Sequence, residues 1–157
     1  MRDTVKTRRT DDTNAKIQRY LAGATFEKLV VEENLLLLSF AKRLDENTCA
    51  ETHLTIIEPG WVGDKESWQL AIEKNISIGD SITGALPYLA SHLPLLLEDE
   101  ISAACIDSHM CLKLKIADTE ITIPGISAKM WKDSYKIEFS IKSTEIIRME
   151  SSGTLLL

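Results

Sequence analysis

Four short segments of this chain occur twice and in the same order, and this recurrence constrains the fold more than any other feature of the sequence. The segment Tyr20–Gly23, YLAG, returns as YLAS at Tyr88–Ser91. LTIIEPG at Leu54–Gly60 returns as ITIPG at Ile121–Gly125. WQLAI at Trp68–Ile72 returns as YKIEF at Tyr135–Phe139, and GAL at Gly84–Leu86 returns as GTL at Gly153–Leu155. Tyr20 precedes Pro59 by 39 positions, and Tyr88 precedes Pro124 by 36. One such match is noise, but four in register predict two tandem copies, 13–86 and 87–157, in a single domain.

Each copy reads as β. Leu112, Leu114 and Ile116 alternate with Cys111, Lys113 and Lys115. Tyr135, Ile137, Phe139 and Ile141 alternate with Lys136, Glu138, Ser140 and Lys142. A period of two places one set on a core face and the other in water. The same reading applies to Trp68, Leu70 and Ile72, while the run Leu35–Leu38 fits a strand covered on both faces. Pro59-Gly60 and Pro124-Gly125 close their strands. Helix is the minority: Thr13 or Asn14 can start one that runs through Ile17, Tyr20 and Leu21 to Gly23. One or two further helical turns are expected in PYLASHLPLLLEDE. The expected fold class is therefore α+β, mainly β, with two tandem antiparallel β units and one or two short helices.

Composition limits the function. With 157 residues, 44% hydrophobic and 27% charged, the chain can bury a real core without disulfides. Its net charge of −6 disfavours duplex nucleic acid and anionic membranes as partners. No apolar run approaches the roughly 18–20 residues of a membrane span. Three cysteines without scaffold spacing suit the reducing cytoplasm. The charge is uneven. Residues 1–10 carry Arg2, Lys6, Arg8 and Arg9 against Asp3, and residues 1–12 read as a mobile basic arm. No Lys or Arg occurs from Asn75 to Leu112.

ISIGDSIT at Ile76–Thr83 resembles the nucleophile block of GDSL-type esterases and lipases, which implies Ser81 as nucleophile. That chemistry needs a base to take the hydroxyl proton. The Asp-x-x-His that supplies it in the family occurs nowhere in this chain, and Asp107-Ser108-His109 has the wrong spacing. No catalytic residue is therefore assigned. Cys49, His53, Cys105, His109 and Cys111 are the candidate metal ligands, but on an extended strand a Cys-x3-His pair spans roughly 13 Å and cannot chelate. No metal and no cofactor is expected.

A binding surface remains. The first copy has a twelve-residue connection, Ala41–Thr52, where the second has only Ala117–Thr119, and hairpin loops are usually two to five residues. That connection carries Asp45, Glu46, Asn47 and Glu51. The turn EPGWVGDKESW adds Glu58, Trp61, Asp64 and Glu66. An aromatic side chain ringed by carboxylates suits a partner contact. Small size, acidic charge and the lack of a catalytic constellation make the chain resemble, in general character, the bacterial immunity proteins that neutralise toxin domains in contact-dependent inhibition. That resemblance implies a cognate toxin domain, basic and nuclease-type, as partner. A small cytosolic structural or ligand-binding protein is the alternative.

Overall fold

The computed structural model describes residues 12–77, 85–125, 135–141, 145–150 and 155–156. It is α+β and mainly β. Helix α1 (12–20) leads into strands β1 (Thr25–Val31), β2 (Leu36–Asp45), β3 (Thr48–Ile56) and β4 (Trp61–Val62). Helices α2 (Lys65–Ser77) and α3 (Ala85–His92) follow, then a 3-10 turn at Pro94–Leu96. The remaining strands are β5 (Ile101–Ile106), β6 (Leu112–Ile116), β7 (Thr119–Ile123), β8 (Tyr135–Ile141), β9 (Glu145–Glu150) and β10 (Leu155–Leu156). Among the described residues no helix is long and apolar enough to cross a membrane.

Two antiparallel sheets form. One has the order β1-β2-β3-β8-β9-β10 and the other β4-β7-β6-β5. Alternation places Phe26, Leu38, Phe40, Leu54, Ile137 and Phe139 of the first sheet in the core with Ile101, Leu112, Leu114, Ile121 and Ile123 of the second, all essentially inaccessible to water. Each such side chain contributes about 1.5–3 kcal/mol by leaving water. Phe26 stacks on Phe40, with ring centroids 5.1 Å apart.

The order helix, three-strand meander, Pro-Gly occurs twice, as α1-β1-β2-β3-Pro59-Gly60 and as α3-β5-β6-β7-Pro124-Gly125. After each Pro-Gly the chain crosses to the other sheet. β4 pairs with β7, Trp61 opposite Thr122, while β8 pairs with β3 from Ile56–Tyr135 to Ala50–Ile141. The two meanders also meet directly. Gly23 N–H donates to Ile101 O (2.7 Å), Ile101 N–H to Ala24 O (2.8 Å), Phe26 N–H to Asp99 O (2.9 Å) and Glu98 N–H to Phe26 O (2.7 Å). The acidic stretch Glu98–Glu100 therefore spends its backbone joining the two sheets.

Helix α1 covers the outer edge of β5. The Asn14 amide donates to Ile106 O (2.9 Å) and accepts from Ile106 N–H (2.7 Å), and Gln18 Nε2 donates to Ala104 O. Its apolar face, Ile17, Tyr20 and Leu21, enters the core, where Tyr20 meets Phe139 at 5.4 Å. Gly23 ends this segment with φ +86°.

Two expectations need correction. Trp68–Ile72 is not a strand but the middle of α2, so it is not the counterpart of Tyr135–Phe139 in β8. Trp68 and Ile72 are one helical turn apart and buried, whereas Leu70, which alternation would bury with them, is 65% exposed. Likewise Ala85 and Leu86 lie in α3 while Leu155 lies in β10. The motif pairs thus correspond through the Pro-Gly turns and not beyond them. The second correction concerns Ala41–Thr52. This segment is not a loop; β2 and β3 run through it and only Glu46-Asn47 turn. The first hairpin has arms of 10 and 9 residues, the second has arms of 5 and 5. Ser81 and the rest of 78–84 lie outside the described residues, as do residues 1–11 of the basic arm.

Candidate functional site

The eight residues named from the sequence fall into two groups at opposite ends of β3, roughly 27 Å apart at the rise of a strand. One group is the hairpin tip. The Asp45 carboxylate accepts from Asn47 N–H (2.8 Å), which makes an Asx-type turn. The Arg43 guanidinium closes the tip from below, with Nε donating to Asp45 O (3.3 Å) and Nη2 to Glu46 O (3.2 Å). Glu51 lies farther along β3 on its solvent face. Its carboxylate is 3.8 Å from His53 Nε2, and the Ser39 hydroxyl is 3.1 Å from His53 Nδ1.

This Ser39–His53–Glu51 cluster was not legible in the sequence, because a cross-strand pairing brings Ser39 beside His53. It resembles a nucleophile–base–carboxylate series but lacks what acyl transfer needs. Its backbone N–H groups belong to the β1-β2-β3-β8 ladder, so none is free to hold an oxyanion. His53 and Glu51 are about half exposed, so water reaches both.

The second group stands where the chain leaves the first sheet. Gly60 passes against the second sheet so closely that a Cβ there would lie 1.9 Å from Thr122 O, and only glycine fits. The next residue, Trp61, is held half-buried on β4. Gly63, at φ +72°, turns the chain into α2. Asp64 caps that helix, accepting from Ser67 N–H (2.9 Å) and Ser67 Oγ–H (3.0 Å). The Ser67 backbone N–H first, then its hydroxyl, hold the Asp64 carboxyl below its ordinary value against an opposing desolvation, with the Glu66 N–H contributing least. Asp64 is thus the start signal of a helix, and Glu66 is an exposed residue in its first turn.

The helix returns Lys65 over Trp61, with the ammonium 4.9 Å from the indole centroid. Sequence reasoning missed Lys65; its position four residues after Trp61 carries no signal unless the intervening turn is known. Beside this pair is a cavity of about 390 Å³, lined by Glu58, Pro59, Trp61, Lys65, Trp68 and Pro124 among others. Both Pro-Gly crossings therefore contribute to its wall. Trp68 is the inner boundary, packed at 4.6 Å from Tyr88 and 4.8 Å from His92. Its Nε1 is buried with no hydrogen-bond partner among the described residues.

A second hollow of about 340 Å³ lies on the outer face of the other sheet, between Gln18 and the side chains of Cys105, Lys113, Lys115 and Glu120. Cys49, Cys105 and Cys111 are all unpaired thiols. Among the described residues no three His, Cys, Asp or Glu side chains converge on a point where a metal ion could sit. Comparison with family models, with curated proteins and with solved structures gives no match for this chain.

Proposed function

We propose that this protein is a non-catalytic binding module for a basic protein partner, and that the cavity beside Trp61 is its point of attachment. The observation that carries this reading is the half-buried indole at the mouth of a cavity walled by both strand crossings, in a chain of net charge −6. The pairing of Trp61 with Thr122 and the close approach of Gly60 to the second sheet fix the backbone that carries the ring, which lowers the entropy lost on binding. An acidic surface speeds encounter with a basic partner, and a central aromatic anchor slows its departure. The acidic hairpin tip is a separate surface, too distant from Trp61 to share one side chain of a partner. Immunity proteins that neutralise basic, nuclease-type toxin domains combine the same small size and acidic charge, and this is the proposed biological class, acting in a reducing cytoplasm. The alternative is a small-ligand protein, favoured by a cavity volume within the range of ligand sites.

The test is paired affinity capture from source-cell lysate, followed by binding kinetics on the captured protein. Wild type should retain a basic protein. Trp61→Ala should release it faster and lose about 2 kcal/mol of affinity, while Asp45→Lys with Glu46→Lys should change mainly the rate of association and its salt dependence. Identical capture by wild type and Trp61→Ala overturns the cavity as the point of attachment, and failure of wild type to retain any basic protein leaves the small-ligand alternative.

A further inference from the structure

Resting on the binding-module reading, we infer that the cavity beside Trp61 receives an arginine side chain of the partner, and that Lys65 is its built-in competitor. Lys65 already shows what the indole accepts: an ammonium 4.9 Å from the ring centroid, well inside cation–π range. The chain supplies that cation from the first residue of α2, where Lys65 is exposed and its stem can swing aside. Glu58 lines the same cavity as Trp61, so a cation that displaces Lys65 meets an aromatic ring and an acidic residue in one wall.

Arginine fits this arrangement better than lysine. Its planar guanidinium stacks flat on an indole while its fork of donors reaches a carboxylate, and it is more weakly hydrated than an ammonium. A second ammonium would merely exchange for the first. Lys65 has two effects on the empty protein. It covers the apolar face of Trp61, and it sets a threshold that a weakly cationic surface does not pass, which is discrimination by competition rather than by shape.

The experiment is a nitrogen-edited NMR titration of the full chain, read at the indole N–H of Trp61. The probes are N-acetyl-arginine amide, N-acetyl-lysine amide and N-acetyl-citrulline amide; citrulline keeps the shape of arginine without its charge. Arginine amide should shift the Trp61 signal saturably, with lysine amide at least roughly threefold weaker and citrulline amide inert. Lys65→Met, which keeps the stem and removes the charge, should tighten arginine amide by roughly threefold, and Glu58→Gln should weaken it by a similar factor.

Equal binding of citrulline and arginine overturns the assignment, as does unchanged affinity in Lys65→Met, or no saturable shift up to about 100 mM, the regime of a single weak contact. Failure here and failure of the binding-module reading are distinguishable. Loss of the captured partner in Trp61→Ala without any arginine response removes the arginine assignment and keeps the module. An arginine response with capture unaffected by Trp61→Ala removes the cavity as the partner's attachment point and keeps it as a cation-binding pocket.

Discussion

The two halves of the molecule build the same helix and three-strand meander, then donate unequally. The second half gives the first sheet three strands, β8, β9 and β10: β8 pairs with β3 over seven positions and buries Tyr135, Ile137 and Phe139. The first half gives the second sheet two residues, Trp61 and Val62, and then turns into α2. The cavity beside Trp61 lies next to the shorter donated strand, with Lys65, Trp68, Gln69 and Ile72 of α2 in its wall. The candidate site thus lies at the asymmetry between two similar units, where the shorter donated strand ends.

The crossings give the most severe test of this comparison. Gly60→Ala places a Cβ 1.9 Å from a backbone oxygen, and Gly125→Ala places one 2.5 Å from His109 O. Neither obstacle is a flexible side chain, so both should destabilise strongly, Gly60→Ala by more than about 4 kcal/mol in urea unfolding. Equal and small costs would mean that the crossings are not tight.

A smaller effect separates the donated strands themselves. Phe139→Ala in β8 should cost about 3–5 kcal/mol, the range of a buried phenylalanine. Trp61→Ala in β4 should cost no more than about 1.5 kcal/mol despite the larger ring, since that ring is only half-buried. A reversed order in chemical denaturation would place the core strand of the second sheet at β4 and remove the asymmetry between the donated strands.

The smallest effect concerns the cap that starts α2. The Asp64 carboxyl is held below its ordinary value of 3.8 in the folded chain, so ionisation there favours folding. Asp64→Asn keeps the acceptor and removes the charge. Wild type should exceed it in stability at neutral pH and low salt, and the gap should close as pH falls through the folded value below 3.8. A gap that instead persists at pH 2, in thermal melts of both proteins, would assign the difference to hydrogen-bond geometry rather than to charge.

How far the sequence could be read depended on what each segment faces. In β6 and β8 one side meets the core and the other meets water, and alternation is plain. Trp68–Ile72 is short enough to match periods of both 2 and 3.6; Leu70 decides between them, and its exposure is a fact of tertiary packing. The informative signal was Asp64 with Ser67, a capping pair just before it. In Ala41–Thr52 the fully buried positions are Ala50 and Thr52, one small and one polar, and Leu44 is only partly buried, so strands that do enter the core carry little hydrophobic rhythm. The acidic residues and Trp61 were read from the sequence as one surface. Their division between two ends of one strand follows from β3 being extended, and the reading of Ala41–Thr52 as a loop concealed it.

The exchange of strands also orders events during synthesis. Domains fold as the chain emerges, N-terminal parts first. When residues up to Ile123 have emerged, β4 can already close the edge of β7, so the second sheet has all its strands. The first sheet does not: β3 waits for Tyr135–Ile141, and its pairing with them joins segments far apart in sequence, which slows folding. In that interval Ala50–Ile56 is an open strand edge with Leu54 and Ile56 on its core side, the template on which nascent chains pair with one another. A truncated chain ending between residues 125 and 135 should therefore aggregate more than one ending after residue 141.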